Sequence, residues 1–301
     1  MAFATKATIA QFGGKLLKLT HNASTTGCEM ALNLYLPPKA VANTSAKVPV
    51  LFYLAGLTCT GDNGAEKGFF AHNASKKGIA VVFPDTSPIQ AKERLSNPRS
   101  GGLKIQGEDD AYDFGTGAGF YINATADPWS KNYRMYDYIT SELPKALYSS
   151  FPELDSSKVS IMGHSMGGHG ALICYLKNPG MYKSVSAFSP IANPTKCPWG
   201  EKAFKGYFGE QGGVEVGRNW DATELIGGFK GDFKALIDVG TSDNFYKQGQ
   251  LLPENLVAAA KAAGKDKALT VRLHDGYDHS YFFISTFADD HVEHAAKHLL
   301  D

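Results

Sequence analysis

The sequence predicts an α/β protein whose sheet is mainly parallel, has an antiparallel N-terminal edge and carries helices on both faces. Approximate alternation of apolar and polar residues marks two half-buried strands near the N-terminus, in "KLLKLTHNAS" and "EMALNLYLP". Continuous apolar runs, typical of strands buried on both faces, follow in "VPVLFYLAG" and "IAVVFPD". Helical stretches alternate with the later strands, which is the pattern of a doubly wound sheet.

The remaining elements continue this alternation to the C-terminus. A helix between the third and fourth strands is predicted from "GAEKGFFAHNASKKG", and another, "YRMYDYITSELPKALYSSF", precedes the strand "KVSIMGHS". The helix "GGHGALICYLKNPG" leads to the strand "YKSVSAFSP". The last third contains the strand "KALIDVG", the helix "ENLVAAAKAAG", the strand "ALTVRLH" and a closing helix from about residue 280 to residue 300.

Length and composition favour one domain spanning residues 1–301. The 301 residues are 43% hydrophobic and 20% charged, which is enough to bury one large core, and no linker or internal repeat divides them. Two segments, about 86–120 and 191–220, are rich in Gly, Pro and polar residues and are predicted to be irregular insertions. Loops of this length in a compact domain are usually functional or mobile.

Charge and targeting signals argue against nucleic-acid and membrane partners. Lys plus Arg total 30 and Asp plus Glu total 30, so neither sign is in excess. The N-terminal stretch lacks the apolar core of a signal peptide, and no apolar run approaches the length of a membrane span. We therefore expect a soluble, cytoplasmic protein that acts on a small molecule.

The cysteine and histidine patterns predict neither a metal nor another cofactor. The cysteines are dispersed with no C-x-x-C pair, at Cys28, Cys59, Cys174 and Cys197. His294 and His298 share a helix face near His291 and Glu293, but no H-E-x-x-H motif accompanies them. A solvated helix face is the favoured interpretation of that cluster.

A G-x-S-x-G pattern places Ser165 between a strand and a helix. The residues Gly163-His164-Ser165-Met166-Gly167 lie where a β-branched apolar strand meets a helix of small residues, which is the setting of a nucleophile elbow. Glycine is favoured two residues either side because side chains there would collide with neighbouring backbone. The alternative is a tight turn with a capping serine.

Two backbone N–H groups are predicted to stabilise negative charge on a substrate oxygen. Met166 N–H lies at the positive end of the helix that follows Ser165. Leu57 N–H is the second candidate, because the loop after the third strand, "LAGLTCTGDNG", supplies the other donor in this architecture.

An acid should follow the serine in the chain, and Asp243 is the candidate. A serine hydroxyl needs a base and an orienting acid to become a nucleophile, here in the order Ser, Asp, His. Asp243 follows the strand "KALIDVG" in "TSDNF", at the edge where open sheets build their sites. Asp238 is the rival, but it lies within the strand, where an unpaired carboxylate is costly.

The base is predicted to be His279. It follows the last strand in "DGYDHSYFF", in a loop of its own, whereas the competitor His274 ends the strand. His164 and His169 flank the serine in sequence and are expected to support the elbow, since a base must approach from across the pocket.

Cys59 lies in the loop expected to provide the second oxyanion donor. It either packs that loop or places a thiol near the nucleophile, where its modification would block the site.

The sequence resembles the S-formylglutathione hydrolases of the esterase D family, which have the α/β-hydrolase fold. The resemblance spans nearly the whole chain and is carried most specifically by "LTCT", "DFGTGAGFY" and "DHSYFF". It implies Ser165 as nucleophile, Asp243 as acid and His279 as base, with an oxyanion hole at Leu57 and Met166. It also implies a thioester substrate, a place in glutathione-dependent formaldehyde detoxification and commonly a homodimer.

Two departures from the family pattern concern the borders of the pocket. Tyr112 stands where the family usually has Trp before the "DFG" block, and extra residues, "IQAKERLSN", occupy 89–97. We expect both to bear on substrate breadth rather than on reaction type.

The function expected on this basis is hydrolysis of S-formylglutathione to glutathione and formate through a formyl-serine intermediate. A formyl group needs only a narrow acyl pocket, and Trp199 in "CPWGEKAF" either forms its wall or anchors a surface loop. The alternatives are a broad short-chain carboxylesterase or acyltransferase, and a non-catalytic binding protein on a hydrolase fold.

Overall fold

One nine-stranded sheet organises the protein. The structure, a computed structural model, describes residues 3–42, 46–89 and 102–300. The strands are β1 (Ala4–Gln11), β2 (Gly14–Ala23), β3 (Cys28–Leu36), β4 (Val48–Leu54), β5 (Ala80–Pro84), β6 (Leu154–His164), β7 (Val185–Phe188), β8 (Ala235–Gly240) and β9 (Leu269–His274). They pair in the order β1-β2-β3-β5-β4-β6-β7-β8-β9.

Strand direction confirms the predicted fold class. β1, β2 and β3 pair antiparallel in sequence order, and β3 is antiparallel to β5. From β5 to β9 every pairing is parallel. The carboxyl ends of β4, β6, β8 and β9 therefore lie at one edge of the sheet, where open α/β sheets place their sites.

Helices connect the strands. They are α1 (Pro38–Val41), α2 (Gly61–Lys67), α3 (Phe70–Lys77), α4 (Met135–Asp137), α5 (Leu143–Ser150), α6 (Met166–Lys177), α7 (Pro198–Phe208), α8 (Gly213–Gly217), α9 (Ala222–Leu225), α10 (Asn244–Lys247), α11 (Pro253–Ala262) and α12 (Tyr281–Leu299). A π-helical turn, Tyr138–Glu142, joins α4 to α5.

The central strand β4 explains how the core is divided. All seven of its residues are buried, as its continuous apolar run predicts. Val50 and Phe52 point into the core that contains α6, whereas Leu51 and Tyr53 point into the core that contains α3 and α12. Helices thus cover both faces of the sheet, and we infer that residues 1–301 form a single domain.

Some local elements differ from the sequence prediction. β1 was not predicted; most of its residues are exposed, so no buried face marks it in the sequence. The predicted helix over residues 64–78 is divided into α2 and α3, because Phe69 adopts a left-handed conformation with φ of 63°. The π-helical turn ends just before Pro144, which has no N–H for a regular helical hydrogen bond.

The insertion predicted at 191–220 is not irregular. It contains α7 and α8, and α7 begins with Pro198 at its first position, where a missing N–H costs nothing. Gly200, Gly206 and Gly209 obscure this helix in the sequence. The other predicted insertion, 86–120, has no regular element among its described residues, and residues 90–97 of the extra segment lie outside them. Across the described ranges, no helix is long and apolar enough to cross a membrane.

Candidate active site

Ser165 sits on a strained corner between β6 and α6. Its φ of 57° and ψ of −120° are unusual for a residue with a side chain. The backbone holds this conformation from both sides, because Ser165 N–H donates to the Phe188 carbonyl at 2.9 Å and Ile191 N–H donates to the Ser165 carbonyl at 3.2 Å. The conformation is therefore held by β7 and by the loop that follows it.

The two flanking glycines are needed for close backbone packing. A Cβ at Gly163 would lie 2.1 Å from the Gly167 carbonyl oxygen, and a Cβ at Gly167 would lie 2.0 Å from the carbonyl oxygen of Leu54. Real Cβ atoms do not approach oxygen so closely. The G-x-S-x-G spacing is thus a steric requirement of the corner.

Two later loops are tied together at the same edge of the sheet. Thr241 N–H donates to the His274 carbonyl at 2.9 Å, and Ser242 N–H donates to the Tyr277 carbonyl at 2.9 Å. Gly240 permits this approach, since a Cβ there would lie 2.2 Å from the Tyr277 carbonyl oxygen. The loop that follows β8 is consequently held against the loop that follows β9.

These contacts bring Asp243 and His279 together. His279 Nδ1–H donates to Asp243 Oδ2 at 2.5 Å. The other oxygen, Oδ1, accepts the N–H groups of Phe245 at 2.7 Å and Tyr246 at 3.3 Å, so Asp243 also caps α10. The carboxylate is fully buried and fixed at both oxygens, which sets the orientation of the imidazole.

Rings on two sides hold the His279 imidazole. The His164 ring lies 4.4 Å away between centroids, and the Phe245 ring lies 4.8 Å away in an edge-to-face arrangement. Burial, with a smaller contribution from His279, holds the pKa of His164 well below its usual value. His164 is therefore neutral and does not compete for the proton that a base at His279 would accept.

The loop that carries Leu57 is fixed beside the serine. Tyr121 hydroxyl donates to the Ala55 carbonyl at 2.9 Å, and Thr58 N–H donates to the Gly117 carbonyl at 2.9 Å. Gly56 lies so near that a Cβ there would be 3.1 Å from Ser165 Cβ. The loop after β4 and the start of α6 thus converge at the corner, as the oxyanion-hole prediction requires.

One cavity of about 200 Å³ collects most of the predicted site residues. Ser165, His279, Leu57, Cys59 and Trp199 all line it. Met166 is buried at the first position of α6, where a helix leaves its N–H groups without partners inside the helix. Asp243 lies behind His279, out of the cavity, as an orienting acid should.

Cys59 is a cavity residue with a poorly ionised thiol. Burial raises the pKa of Cys59 above its ordinary value, although nearby Lys67 acts in the opposite direction. The loop position is fixed because Thr86 hydroxyl donates to the Cys59 carbonyl at 2.6 Å. The thiol is near the serine but is not activated as a nucleophile.

The rival acid and base are engaged elsewhere. Asp238 accepts hydrogen bonds from Arg272 Nε at 2.7 Å and from His291 Nε2 at 3.2 Å. His274 stacks on Phe287 with centroids 3.8 Å apart and lies 3.4 Å from Asp238. The Asp238 carboxylate is thus buried but paired, so burying it in β8 does not carry the cost of an unpaired charge. It is nevertheless excluded as the orienting acid, because its partners are Arg272 and His291, neither of which lines the cavity.

The C-terminal histidines do not form a uniformly solvated face. His291 is fully buried and stacks on Phe188 with centroids 3.6 Å apart. Burial lowers the pKa of His294 to about 4. Within the described ranges, no group of three or more His, Cys, Asp or Glu side chains could hold a metal ion.

Comparison with known proteins places this geometry in a family. Residues 23–294 match the family model described as "Putative esterase". The chain is 50% identical to the S-formylglutathione hydrolase of Rattus norvegicus over 289 residues, covering 96% of this chain and 95% of the rat protein. The chain belongs to the S-formylglutathione hydrolase family. The Arabidopsis thaliana S-formylglutathione hydrolase is 48% identical over 289 residues, again 96% and 95% of the two chains.

A solved structure agrees with this S-formylglutathione hydrolase assignment. The structure of an S-formylglutathione hydrolase from Agrobacterium tumefaciens superimposes with a TM-score of 0.87 at 41% identity, covering 99% of this chain and all of that one. The resemblance inferred from the sequence blocks is thereby confirmed at the level of the family.

Besides Gly56 and Thr58, three ring-bearing cavity residues were not predicted as site residues from the sequence of this S-formylglutathione hydrolase family member. Tyr112, His164 and Phe245 all line the cavity. Tyr112 was noted only as a departure from the family, and Phe245 stands two residues after Asp243 in "TSDNF". The proximity of Phe245 to the predicted acid Asp243 in the sequence is the signal that could have indicated it.

Proposed function

We propose that this protein is a serine thioesterase that hydrolyses S-formylglutathione to glutathione and formate. The observation that carries the proposal is the 2.5 Å hydrogen bond from His279 to buried Asp243, with His279 and Ser165 lining one cavity. The names of the rat, Arabidopsis and Agrobacterium relatives support the substrate. Removal of S-formylglutathione is the step that completes glutathione-dependent formaldehyde detoxification.

Acylation begins at the Ser165 hydroxyl. Because Asp243 accepts a hydrogen bond from Nδ1–H, His279 is held in the tautomer whose Nε2 is free to accept a proton. Nε2 takes the Ser165 proton as Oγ attacks the formyl carbonyl carbon. The carbonyl oxygen then carries negative charge, which Leu57 and Met166 N–H groups stabilise together with the positive end of α6.

Collapse of this intermediate releases glutathione. The C–S bond breaks, and the proton on His279 Nε2 passes to the departing sulfur. A thiol with a pKa of about 8.5 needs less acid assistance than an amine. Ser165 is left as a formyl ester.

Deacylation repeats these steps with water as the nucleophile. His279 Nε2 takes a proton from water while the water oxygen attacks the carbonyl carbon of the formyl ester. The C–O bond to Ser165 then breaks, and the proton on Nε2 passes to Oγ. Formic acid leaves and loses its proton to solvent to give formate, and the enzyme is regenerated. The roles of Asp243 and of the two backbone donors are the same in both halves.

The cavity offers a place for the acyl group beside the nucleophile. It has a volume of about 200 Å³ and is lined by Leu57, Ser165 and His279. Trp199, which is only 4% exposed, forms part of its wall. A formyl group is the smallest acyl unit, and we expect it to lie beside Ser165 in this cavity with the tripeptide extending outward.

Steady-state kinetics on two acyl donors tests the proposal. We expect kcat/KM for S-formylglutathione to exceed that for p-nitrophenyl acetate. A much higher value on the ester would instead make the protein a short-chain carboxylesterase, and no turnover of either donor by folded protein would favour a binding protein.

The oligomeric state and the cellular location are proposed from the family resemblance alone. We expect a homodimer in the cytoplasm. Sedimentation equilibrium of the full chain tests the first part, and fractionation of expressing cells tests the second. A monomer across the accessible concentration range would contradict the dimer without affecting the chemistry.

A further inference from the structure

Three consecutive residues, Tyr112, Asp113 and Phe114, dock along α7, and we call them the strap. Phe114 is its anchored end. The Phe114 ring stacks on Tyr207 with centroids 4.5 Å apart and meets Trp129 edge to face at 4.9 Å. A Cβ at Gly206 would lie 2.2 Å from the Phe114 ring, so the ring occupies the space that a side chain on α7 would need.

Asp113 forms the middle of the strap. Its carboxylate pairs with Lys202 of α7, and the Asp113 side chain is only 14% exposed. The partners of the strap on α7 stand at positions 199, 202 and 206, a spacing that puts them on one face of a helix. The strap therefore follows α7 from its last turn to its N-terminus.

Tyr112 is the outer end of the strap and its least buried residue. It is 53% exposed. Its hydroxyl accepts a hydrogen bond from Trp199 Nε1 at 3.2 Å, and the two rings meet edge to face at 6.4 Å. Among the described residues, Tyr112 makes no other side-chain hydrogen bond or ring contact.

Trp199, by contrast, is fixed independently of the strap. It is 4% exposed, its backbone N–H donates to Gln250 Oε1 at 3.1 Å, and its ring lies 4.6 Å from Phe245. Tyr112, Trp199 and Phe245 together form the aromatic wall of the cavity that contains Ser165. Tyr112 is thus the removable part of an otherwise rigid wall.

We propose that Tyr112 determines the acyl-chain length the enzyme accepts, by closing the cavity wall through the hydrogen bond from Trp199 to its hydroxyl. This inference rests on the proposed function, because it assigns the acyl specificity of the same site. With the bond formed, the Tyr112 ring completes the aromatic wall of the cavity and limits the space beside Ser165. With the bond lost, the exposed Tyr112 end swings outward while Phe114 stays anchored, and longer acyl groups enter.

The test is the ratio of kcat/KM for p-nitrophenyl hexanoate to kcat/KM for p-nitrophenyl acetate. Tyr112→Phe removes the hydroxyl and keeps the ring, so we expect the ratio to rise about threefold to tenfold, the effect of one hydrogen bond on an opening equilibrium. Tyr112→Ala removes the wall and should raise the ratio further. Asp113→Asn, which weakens the strap without touching the cavity, should raise it less.

Tyr136→Phe is the matched control. The Tyr136 hydroxyl also accepts a hydrogen bond from a side-chain N–H group, that of Asn178 at 2.9 Å, but Tyr136 does not line the cavity. Its ratio should equal that of the wild type. An equal rise in this variant, or an unchanged ratio in both Tyr112 variants, would overturn the inference.

The same experiment separates this inference from the proposed function. Failure of the wild type to hydrolyse S-formylglutathione, while it hydrolyses the esters, would overturn the proposed function, and the ratios would still decide the role of Tyr112. Normal hydrolysis of S-formylglutathione with flat ratios across all variants would overturn only the role of Tyr112.

Discussion

The substitution Asp243→Asn isolates the role of the buried carboxylate, because an amide has one acceptor oxygen where the carboxylate has two. In the structure Oδ1 accepts the N–H groups of Phe245 and Tyr246, and Oδ2 accepts the His279 Nδ1–H. The two backbone donors retain the single oxygen of Asn on their side. The amide N–H₂ group then faces His279.

The consequence is a change of tautomer. An N–H₂ group opposite Nδ1 requires an acceptor there, so the imidazole proton moves to Nε2, and Nε2 can no longer accept the Ser165 proton. A change of this kind lowers kcat by about 10⁴-fold in a serine protease, equivalent to about 5 kcal/mol of transition-state stabilisation. We expect a loss of about 10³-fold to 10⁴-fold in kcat/KM for S-formylglutathione here.

The assay is initial-rate kinetics on S-formylglutathione, with folding checked by thermal unfolding. Asp238→Asn is the matched control, since Asp238 is also fully buried and hydrogen-bonded to a histidine. Losing the Arg272 pairing should lower its stability but leave kcat/KM within about tenfold of the wild type. Near-normal activity of Asp243→Asn, or a larger loss in Asp238→Asn, would refute the reasoning.

Four further perturbations test other parts of the structure. Ser165→Ala should abolish turnover with an unchanged melting temperature, and substantial residual hydrolysis would contradict its role as nucleophile. Gly167→Ala should lower the free energy of unfolding by about 3 kcal/mol, because the new Cβ would lie 2.0 Å from the Leu54 carbonyl oxygen of β4. Gly227→Ala is the control and should change the free energy of unfolding little, because a Cβ there meets nothing within 4 Å. Equal effects of the two variants in denaturant titration would count against the steric argument. Alkylation of Cys59 should inhibit the enzyme slowly at neutral pH and faster as pH rises, because burial raises the thiol pKa and the reactive thiolate forms only at higher pH. Inhibition that persists in Cys59→Ser would show that another group is modified. Burial lowers the pKa of His169 to about 4 from 6.5, so the unfolded chain binds a proton at this residue that the folded protein does not. This contribution should lower stability by about 3 kcal/mol as pH drops from 6.5 to 4. His169→Gln should reduce the pH dependence of stability by that amount, and a slope identical to that of the wild type would exclude the contribution.

The sequence predicted the central strands well because they are buried on both faces. A run such as β4 has no polar position to confuse with a helix, and the steric pattern around Ser165 is unmistakable once a strand and a helix flank it. β1 escaped prediction for the opposite reason, since an exposed edge strand has no hydrophobic face.

Tertiary contacts decided the elements that the sequence left uncertain. α7 contains glycines that a propensity argument counts against a helix, but Gly206 is required by the ring of Phe114 packed against it. Phe69 separates α2 from α3 in a left-handed conformation, and no local feature of the sequence predicts it.

The predicted site depended on both spacing and family resemblance. The order of Ser165, Asp243 and His279 follows from loops at the carboxyl ends of β6, β8 and β9. The aromatic wall did not follow, because the contact between Tyr112 and Trp199 joins residues 87 positions apart. Nothing in either local sequence indicates that partnership.

The most direct test of the central claim is to label the enzyme with a fluorophosphonate and map the modified residue by peptide mass spectrometry. The probe reacts with a serine only where a base and an oxyanion hole activate it. We predict a single label on the peptide that contains Ser165, absent from Ser165→Ala and strongly reduced in His279→Ala. A label on another residue, or full labelling of Ser165 without His279, would contradict the account.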